Sequence, residues 1–210
     1  MPQITSEVGV CNLAQIHLKG NPIASLINPK AKAEIVYAQI FDICRRMTLE
    51  AHPWNFASKR TTVGQASTTP THGWAYQSAL MPDDFIRVNT LGQNDDWTSD
   101  VYALENNRIL ADSPAPYYLQ YVYNFTDIQR MSPKFIYALS LCLAATGAYQ
   151  ITGNGALADS LQAKFDALFQ EAQSTDGQQR PPVRRQVSKW NRARSRLGRS
   201  GSDALHLGGE

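Results

Sequence analysis

Apolar positions change their spacing twice along the chain and divide it into three blocks. Up to about residue 52 they recur every three or four positions, the spacing of an amphipathic helix. Between about residues 56 and 124, short β-branched and aromatic runs alternate with turn residues, which is typical of strands. Helical spacing then returns from about 133 to 173. The pattern predicts an α+β fold: a four-helix bundle of two N-terminal and two C-terminal helices, with a small antiparallel β-sheet inserted between the pairs.

Capping residues set the expected helix limits at about 6–19, 29–52, 133–151 and 156–173. Asn28 and Pro29 are a favourable N-cap and first residue for the second helix, as are Ser132 and Pro133 for the third. The turn "TGNG" separates the last two helices. In the second helix we expect a buried stripe, widened on one side, made of Val36, Ile40, Ile43 and Met47 with Tyr37, Phe41 and Cys44.

Strand-like runs occupy the middle block and are joined by short turns. Asn106 and Asn107 tolerate the left-handed conformation of a two-residue hairpin turn. The expected strands are 56–63, 74–79, 85–91, 101–104, 108–111 and 117–123.

The first change of spacing falls at Pro53, which disfavours helical geometry at His52 and so ends the second helix. Trp54 and Phe56 follow directly. We predict that Pro53, Trp54 and Phe56 form a structural hinge between the helices and the sheet, with the two rings covering the joint.

Composition adds a division between a body and a tail. The chain has 210 residues and is 43% hydrophobic, which suits one globular domain. Residues 1–173 hold 12 Lys or Arg and 15 Asp or Glu, whereas residues 174–210 hold 8 and 3. We therefore expect a folded body at 1–174, with its β region at about 56–124, and an extended basic C-terminal tail at 175–210.

Motifs for catalysis, cofactors and metals are weak. The three cysteines are too few and too widely spaced for a disulfide framework or a CxxC site, and the histidines lack metal-binding spacing. Gly153–Ala158 matches GxGxxA but follows a helix, where a dinucleotide fingerprint does not work. We therefore predict no catalytic, cofactor-binding or metal residue. A thiol hydrolase using Cys44 or Cys142 is disfavoured because buried thiols are inert.

Targeting signals are also absent from the pattern. The first ten residues lack the features of a secretion signal, and no run approaches the roughly 18 apolar residues of a membrane span. We expect an intracellular protein with no membrane contact.

The basic tail is the strongest candidate binding segment. Its cations surround one tryptophan, and the set comprises Arg184, Arg185, Lys189, Trp190, Arg192, Arg194, Arg196 and Arg199. Three roles stay open: phosphate binding with Trp190 stacked on a base, a solvated tail without a ligand, or a segment that orders on an acidic protein with Trp190 as anchor.

The order of these pieces resembles a known family. "AHPWNFASKRTTV", "GWAYQSALMPDDFIRVNTL", "YYLQYVYNFTD" and "SPKFIYALSLCLAATGAYQITGNGALADSLQAKFDALFQEAQ" follow one another as in the head-to-tail adaptors of short-tailed bacteriophages, the tail tubular protein A family. The resemblance covers about residues 5–174. It rests on the combination of these pieces, because none of them is a chemical motif.

The resemblance implies a non-enzymatic virion protein of the phage neck, assembled in the host cytoplasm. About twelve copies would form a ring between the portal protein and the tail nozzle protein, each touching its neighbour through a head-to-tail contact. DNA would pass through the ring without sequence-specific contact. Our own hypothesis is that the basic tail binds the portal; the alternative is a nucleic-acid-binding protein that uses this tail.

Overall fold

The computed structural model describes residues 4–70, 73–92 and 101–179, and within these ranges the chain forms four helices and six strands. The helices are α1 (Glu7–Leu18), α2 (Lys32–Glu50), α3 (Pro133–Thr152) and α4 (Gly155–Gln178). The strands are β1 (Ser58–Val63), β2 (Tyr76–Gln77), β3 (Phe85–Gly92), β4 (Tyr102–Glu105), β5 (Arg108–Ala111) and β6 (Tyr117–Tyr123). The predicted α+β class, with antiparallel strands between two helix pairs, is confirmed.

The strands form two small antiparallel sheets, whereas the sequence predicted one. Their orders are β1-β6-β3 and β2-β5-β4. The chain beyond β1 joins them, because Gln65 bridges Ser78 and the amide of Ala66 donates to the carbonyl of Gln77 at 2.9 Å. Run lengths alone do not reveal which strands pair, so the division was not predictable from them.

Two separate hydrophobic cores lie within this body. The larger one, the helical core, collects buried residues of α1, α2, α3 and α4 together with Trp54. The smaller one, the β core, lies between the sheets and is made of Val63, Met81, Leu91, Ile109, Ala111, Tyr117, Leu119 and Tyr121.

Helix α3 is at the centre of the helical part and packs against α1, α2 and α4. Gly147 lies where α3 meets α2, since an added Cβ would be in van der Waals contact with side-chain atoms of Val36 and Ile40 at 3.5 Å. By length and composition α3 would also suit a membrane span, with a mean hydropathy of 1.3. However, 67% of that window is buried inside the protein, and a buried core helix meets the same criterion.

Several predicted helix ends and turns are confirmed. The Ser132 hydroxyl accepts from the amide of Phe135, with Pro133 at the start of α3. Gly153 ends α3 with a φ of 74°, and the Asn154 side chain accepts from the amide of Leu157 at the start of α4. The GxGxxA match is therefore a turn between two helices.

The predicted hairpin turn is confirmed as well. Asn106 and Asn107 have positive φ values of 48° and 57°, and they join β4 to β5. Asparagine adopts this conformation more readily than most residues, which is why the pair was a usable signal.

The predicted start of α2 at Asn28 and Pro29 is wrong. The helix begins at Lys32, with Ala31 as its N-cap residue. The Glu34 carboxylate accepts from the amides of Lys30 and Ala31 at 2.7 and 3.0 Å. These bonds hold the residues before Lys32 in a loop. Capping preferences alone did not reveal this loop.

The predicted buried stripe of α2 is also partly wrong. Ile43 and Met47 are 57% and 58% exposed. Arg45 and Thr48 are buried instead, because Arg45 donates to the carbonyl of Phe125 and Thr48 to that of Cys44. Polar residues with buried partners thus shift the covered face away from the one that apolar spacing indicated.

Helix α4 continues to Gln178, beyond the predicted end at 173 and the predicted body limit at 174. Asp176 explains the extension, since its side chain is buried in this last turn and accepts from the amide of Asn55. The first compact unit of the chain accordingly ends at Gln179.

Candidate interaction site at the helix–sheet junction

The predicted site residues fall in two parts of the chain. The basic set at positions 184–199 lies outside the described residues. The predicted hinge residues lie within them, where α2 passes into β1 through a short 3₁₀ helix at Asn55–Ala57.

Trp54 is fully buried where the helices meet the start of β1. Its indole nitrogen donates to the carbonyl of Thr48 at 2.9 Å, which satisfies its polar atom inside the core. Its ring lies 5.1 Å from that of Phe135 in α3 and 5.8 Å from that of Phe169 in α4, both edge to face. One side chain therefore contacts two helices directly after a third one ends.

Phe56 continues this aromatic cluster toward the sheet. Its ring lies 5.9 Å from that of Trp54 and 5.4 Å from that of Phe125, which follows β6. Such contacts add to the burial of apolar area, and rings are stiff because they have few rotatable bonds. Trp54 and Phe56 thus pack between the helices and the residues that follow β6.

Asp176 ties the last turn of α4 to the junction, and sequence reasoning missed it. Its carboxylate oxygens lie 3.2 Å from the amide nitrogen of Asn55, and one of them lies 3.2 Å from Nε2 of His52. The Asn55 side chain donates to the Asp176 carbonyl at 2.7 Å. The sequence signal for Asp176 was its position four residues beyond Ala172, which places both residues on the same helix face. Both are buried.

Arginines on both sides of the joint add further ties. Arg45 of α2 is buried and donates to the carbonyl of Phe125 at 2.6 Å and to the carboxylate of Asp42. Arg87 of β3 donates to the carbonyl of Glu50 at 2.9 Å, at the end of α2. The helices and the first sheet are therefore linked by polar contacts as well as by packing.

Buried thiols lie between α2 and α3. Cys44 and Cys142 are both buried, and the Cys44 sulfur lies 3.7 Å from the hydroxyl oxygen of Thr146. A hydrogen bond to Cys142, together with burial, raises the pKa of the Cys44 thiol. Burial, with the charge of Glu7, likewise raises the pKa of Cys11 to about 12. Raised pKa values disfavour the thiolate at Cys11 and Cys44, whereas the hydrogen bond with Cys44 lowers the pKa of Cys142.

One serine–histidine contact occurs between α1 and α3. The Ser140 oxygen lies 3.4 Å from Nε2 of His17, but the Ser140 hydroxyl donates to the carbonyl of Tyr137 at 2.7 Å. Burial and the nearby charge of Lys164 lower the pKa of His17. Because the serine proton points to a carbonyl, this pair lacks the geometry of an activated nucleophile.

Asp84 also has a defined structural role. Its carboxylate accepts from Lys59 at 2.5 Å and from the Tyr121 hydroxyl at 2.9 Å, joining the start of β3 to β1 and β6. Burial alone would raise its pKa, but these two bonds outweigh that effect and lower it. Among residues 4–70, 73–92 and 101–179, no three His, Cys, Asp or Glu side chains form a metal-binding group.

Two surface grooves accompany these contacts. The larger, about 520 Å³, lies on the second sheet and is lined by polar residues that include Gln77, Glu105 and Arg108. The smaller, about 180 Å³, lies between the start of α3 and the end of α4, beside Lys134 and Asp176. Neither contains a recognisable catalytic set among its lining residues.

Comparison with known proteins adds no assignment. No protein-family model matches this sequence, and no curated protein matches it significantly. The junction itself is built for packing and hydrogen bonding.

Proposed function

We propose that this chain is a structural virion protein, one subunit of a ring that joins the portal to the tail nozzle of a short-tailed phage and continues the DNA channel. In this proposal about twelve copies close the ring through head-to-tail contacts. The four helices form one bundle that builds the ring and contacts the portal, while the β region faces the tail side. The sequence resemblance is the starting point for this assignment.

The observation that carries the proposal is the fixed end of α4. Asp176 bonds to Asn55 and His52, so the last turn before the basic segment is attached to the loop between α2 and β1. A tail that transmits force between two rings needs such an attachment. The portal-binding residues would be Arg184, Arg185, Lys189, Trp190, Arg192, Arg194, Arg196 and Arg199.

Exposed apolar residues on α2 support lateral contacts in the ring. Ile35, Ile43 and Met47 are 44%, 57% and 58% exposed, although each lies on a helix whose other face is buried. Contiguous exposed apolar surface often marks a protein interface. In the proposed ring these residues contact the neighbouring copy.

Truncation tests the role of the tail. The cut belongs after Gln179, because a cut at 174 would remove Asp176 and damage the junction. We expect the 1–179 protein to keep its circular dichroism spectrum and thermal midpoint but to lose binding to the portal ring of its phage. Electron microscopy of the mixture would show capped portals only with the full chain.

A charge-matched control separates specific docking from general attraction. Trp190→Ala keeps all basic residues and removes only the proposed anchor, so we expect it to weaken portal binding strongly. Unchanged portal binding by the 1–179 protein would refute the role of the tail.

A nucleic-acid-binding role for the tail is the alternative, favoured by its eight basic residues among positions 174–210. Filter binding to DNA across a salt series tests it. Several phosphate contacts predict a steep loss of affinity as salt rises, whereas the portal proposal predicts only weak, nonspecific DNA binding.

A further inference from the structure

The β-strand edges of this body differ in their protection against pairing with other chains. Natural edge strands are usually shielded by charges, irregularities, shortness or cover, because their free backbone groups can pair with another strand. The outer side of β1 carries exposed Lys59 and Arg60. The register of β3 is interrupted twice, between Phe85 and Arg87 and between Val88 and Thr90.

The edge of β2 is also protected, because the strand is short and another segment pairs beside it. This strand has two residues, and the chain at positions 64–66 pairs beside it on the side away from β5. The β4 strand is different, because within residues 4–70, 73–92 and 101–179 it pairs with β5 alone. It has no lysine, arginine or proline. The side chain of Leu104 is 45% exposed, and that of Val101, the residue before the strand, is 81% exposed.

The register of the hairpin shows which backbone groups of β4 face outward. Glu105 and Arg108 flank the two-residue turn, so they exchange hydrogen bonds with each other, as do Ala103 and Leu110 two positions on. The amide and carbonyl groups of Tyr102 and Leu104 must therefore point away from β5. On β5, Ile109 accordingly turns its carbonyl toward Ser78 of the β2 side, at 2.8 Å.

We propose that the β4 edge is a self-association site, at which two copies of this chain pair antiparallel about a two-fold axis at Ala103. This register sets Tyr102 of one copy opposite Leu104 of the second copy, and the reverse, so that all the outward groups form inter-chain hydrogen bonds. Aromatic and aliphatic side chains then meet on one face, a favourable cross-strand pair. Glu105 meets Val101, so no like charges are opposed.

The short length of the β4 edge limits the affinity of the proposed dimer. A four-residue strand buries much less than the roughly 1,200 Å² of a standard stable interface, so the dimer is weak and forms at about 100 µM protein or above. The contact is independent of the proposed ring, whose subunits meet head to tail. It belongs to the free chain before any partner is present.

Sedimentation velocity of the full chain, in about 0.5 M NaCl to screen charge-driven association, measures the dimer. We expect a concentration-dependent shift from monomer toward dimer. Leu104→Pro removes only an outward-facing amide from the strand and should weaken association about tenfold or more, since the two-fold axis doubles the loss. Leu104→Lys should also weaken association, because it places two positive charges at the contact. This variant replaces the proline variant if the latter fails to fold.

Ile16→Lys is the matched control, because Ile16 is an exposed apolar residue on α1, outside both β4 and the proposed ring contact. It should leave this association unchanged. Hydrogen exchange gives a second readout: raising the concentration should protect the amides of Tyr102 and Leu104, while those of Ala103 and Glu105 stay protected throughout. Monomer at all concentrations, loss of dimer with Ile16→Lys instead of Leu104→Pro, or unchanged exchange at Tyr102 and Leu104 would each overturn the proposal.

Discussion

The helical part and the β part of this body are stabilised in different ways. The helical part surrounds one long apolar helix, α3, which is buried against three others over most of its length. The β part has a smaller core, which includes Tyr117 and Tyr121, and among the described residues no strand pairs with the outer edge of β4. A small core gains less from burial, so we infer that the β part is the less stable of the two.

The junction connects parts of unequal stability. Trp54 belongs to the helical core, Phe56 contacts the residue after β6, and Asp176 ties the end of α4 to the loop between α2 and β1. These contacts would couple the unfolding of the helical part to that of the β part. Substitutions at the junction and within each part test that relation.

Trp54→Ala should produce the greatest loss. It removes a fully buried ring that contacts α3 and α4, and such truncations cost about 3–5 kcal/mol of unfolding free energy. Urea denaturation followed by circular dichroism measures it. Trp54→Phe is the control: it keeps an aromatic ring and loses the bond to the Thr48 carbonyl, so the loss should be clearly smaller.

Leu119→Ala tests whether the β core can open separately. Leu119 is fully buried there, and its truncation should cost that region about 2–5 kcal/mol. Hydrogen exchange should accelerate in the strands and remain slow in α3. Leu143→Ala, at an equally buried site of α3, should accelerate exchange everywhere if the helical part supports the rest. Equal acceleration in strands and helices with Leu119→Ala would mean that the two parts form one cooperative unit.

Asp176→Ala tests the polar tie alone. It leaves the amide of Asn55 without its buried acceptor, which should cost about 1–3 kcal/mol by urea denaturation. Asp166→Ala is the matched control on the same helix, because Asp166 is exposed and accepts only from Gln162. A value for Asp176→Ala as small as that of the control would show that the Asp176 carboxylate contributes little to holding α4.

The sequence revealed local features well and long-range partners poorly. Ser132 with Pro133, and Asn106 with Asn107, act through their own backbone conformations, so their effects were predictable. Asp176 acts through partners more than 120 positions away. Its importance depends on which loop lies beside the end of α4, and periodicity contains no information on that.

The same reason explains the errors in α2. Apolar spacing predicted that Ile43 and Met47 are buried, but the covered face includes Arg45 and Thr48. A charged residue in the core is tolerated because Phe125 and Asp42 accept its hydrogen bonds. The two sheets were merged for a related reason, since strand content does not determine strand order.

Glu34, at the start of α2, should give the smallest effect, a change in how the free energy of unfolding depends on pH. Amide donors from Ala31, Lys30 and Ala24 hold its pKa at about 2, below the usual 4.5. Because the folded form binds the proton less tightly than the unfolded chain, this contribution to stability is complete above pH 4.5 and disappears as pH falls toward 2. Glu34→Gln should therefore flatten the fall in urea midpoint between about pH 5 and 2. An unaltered curve with Glu34→Gln would mean that these amide bonds do not persist in solution.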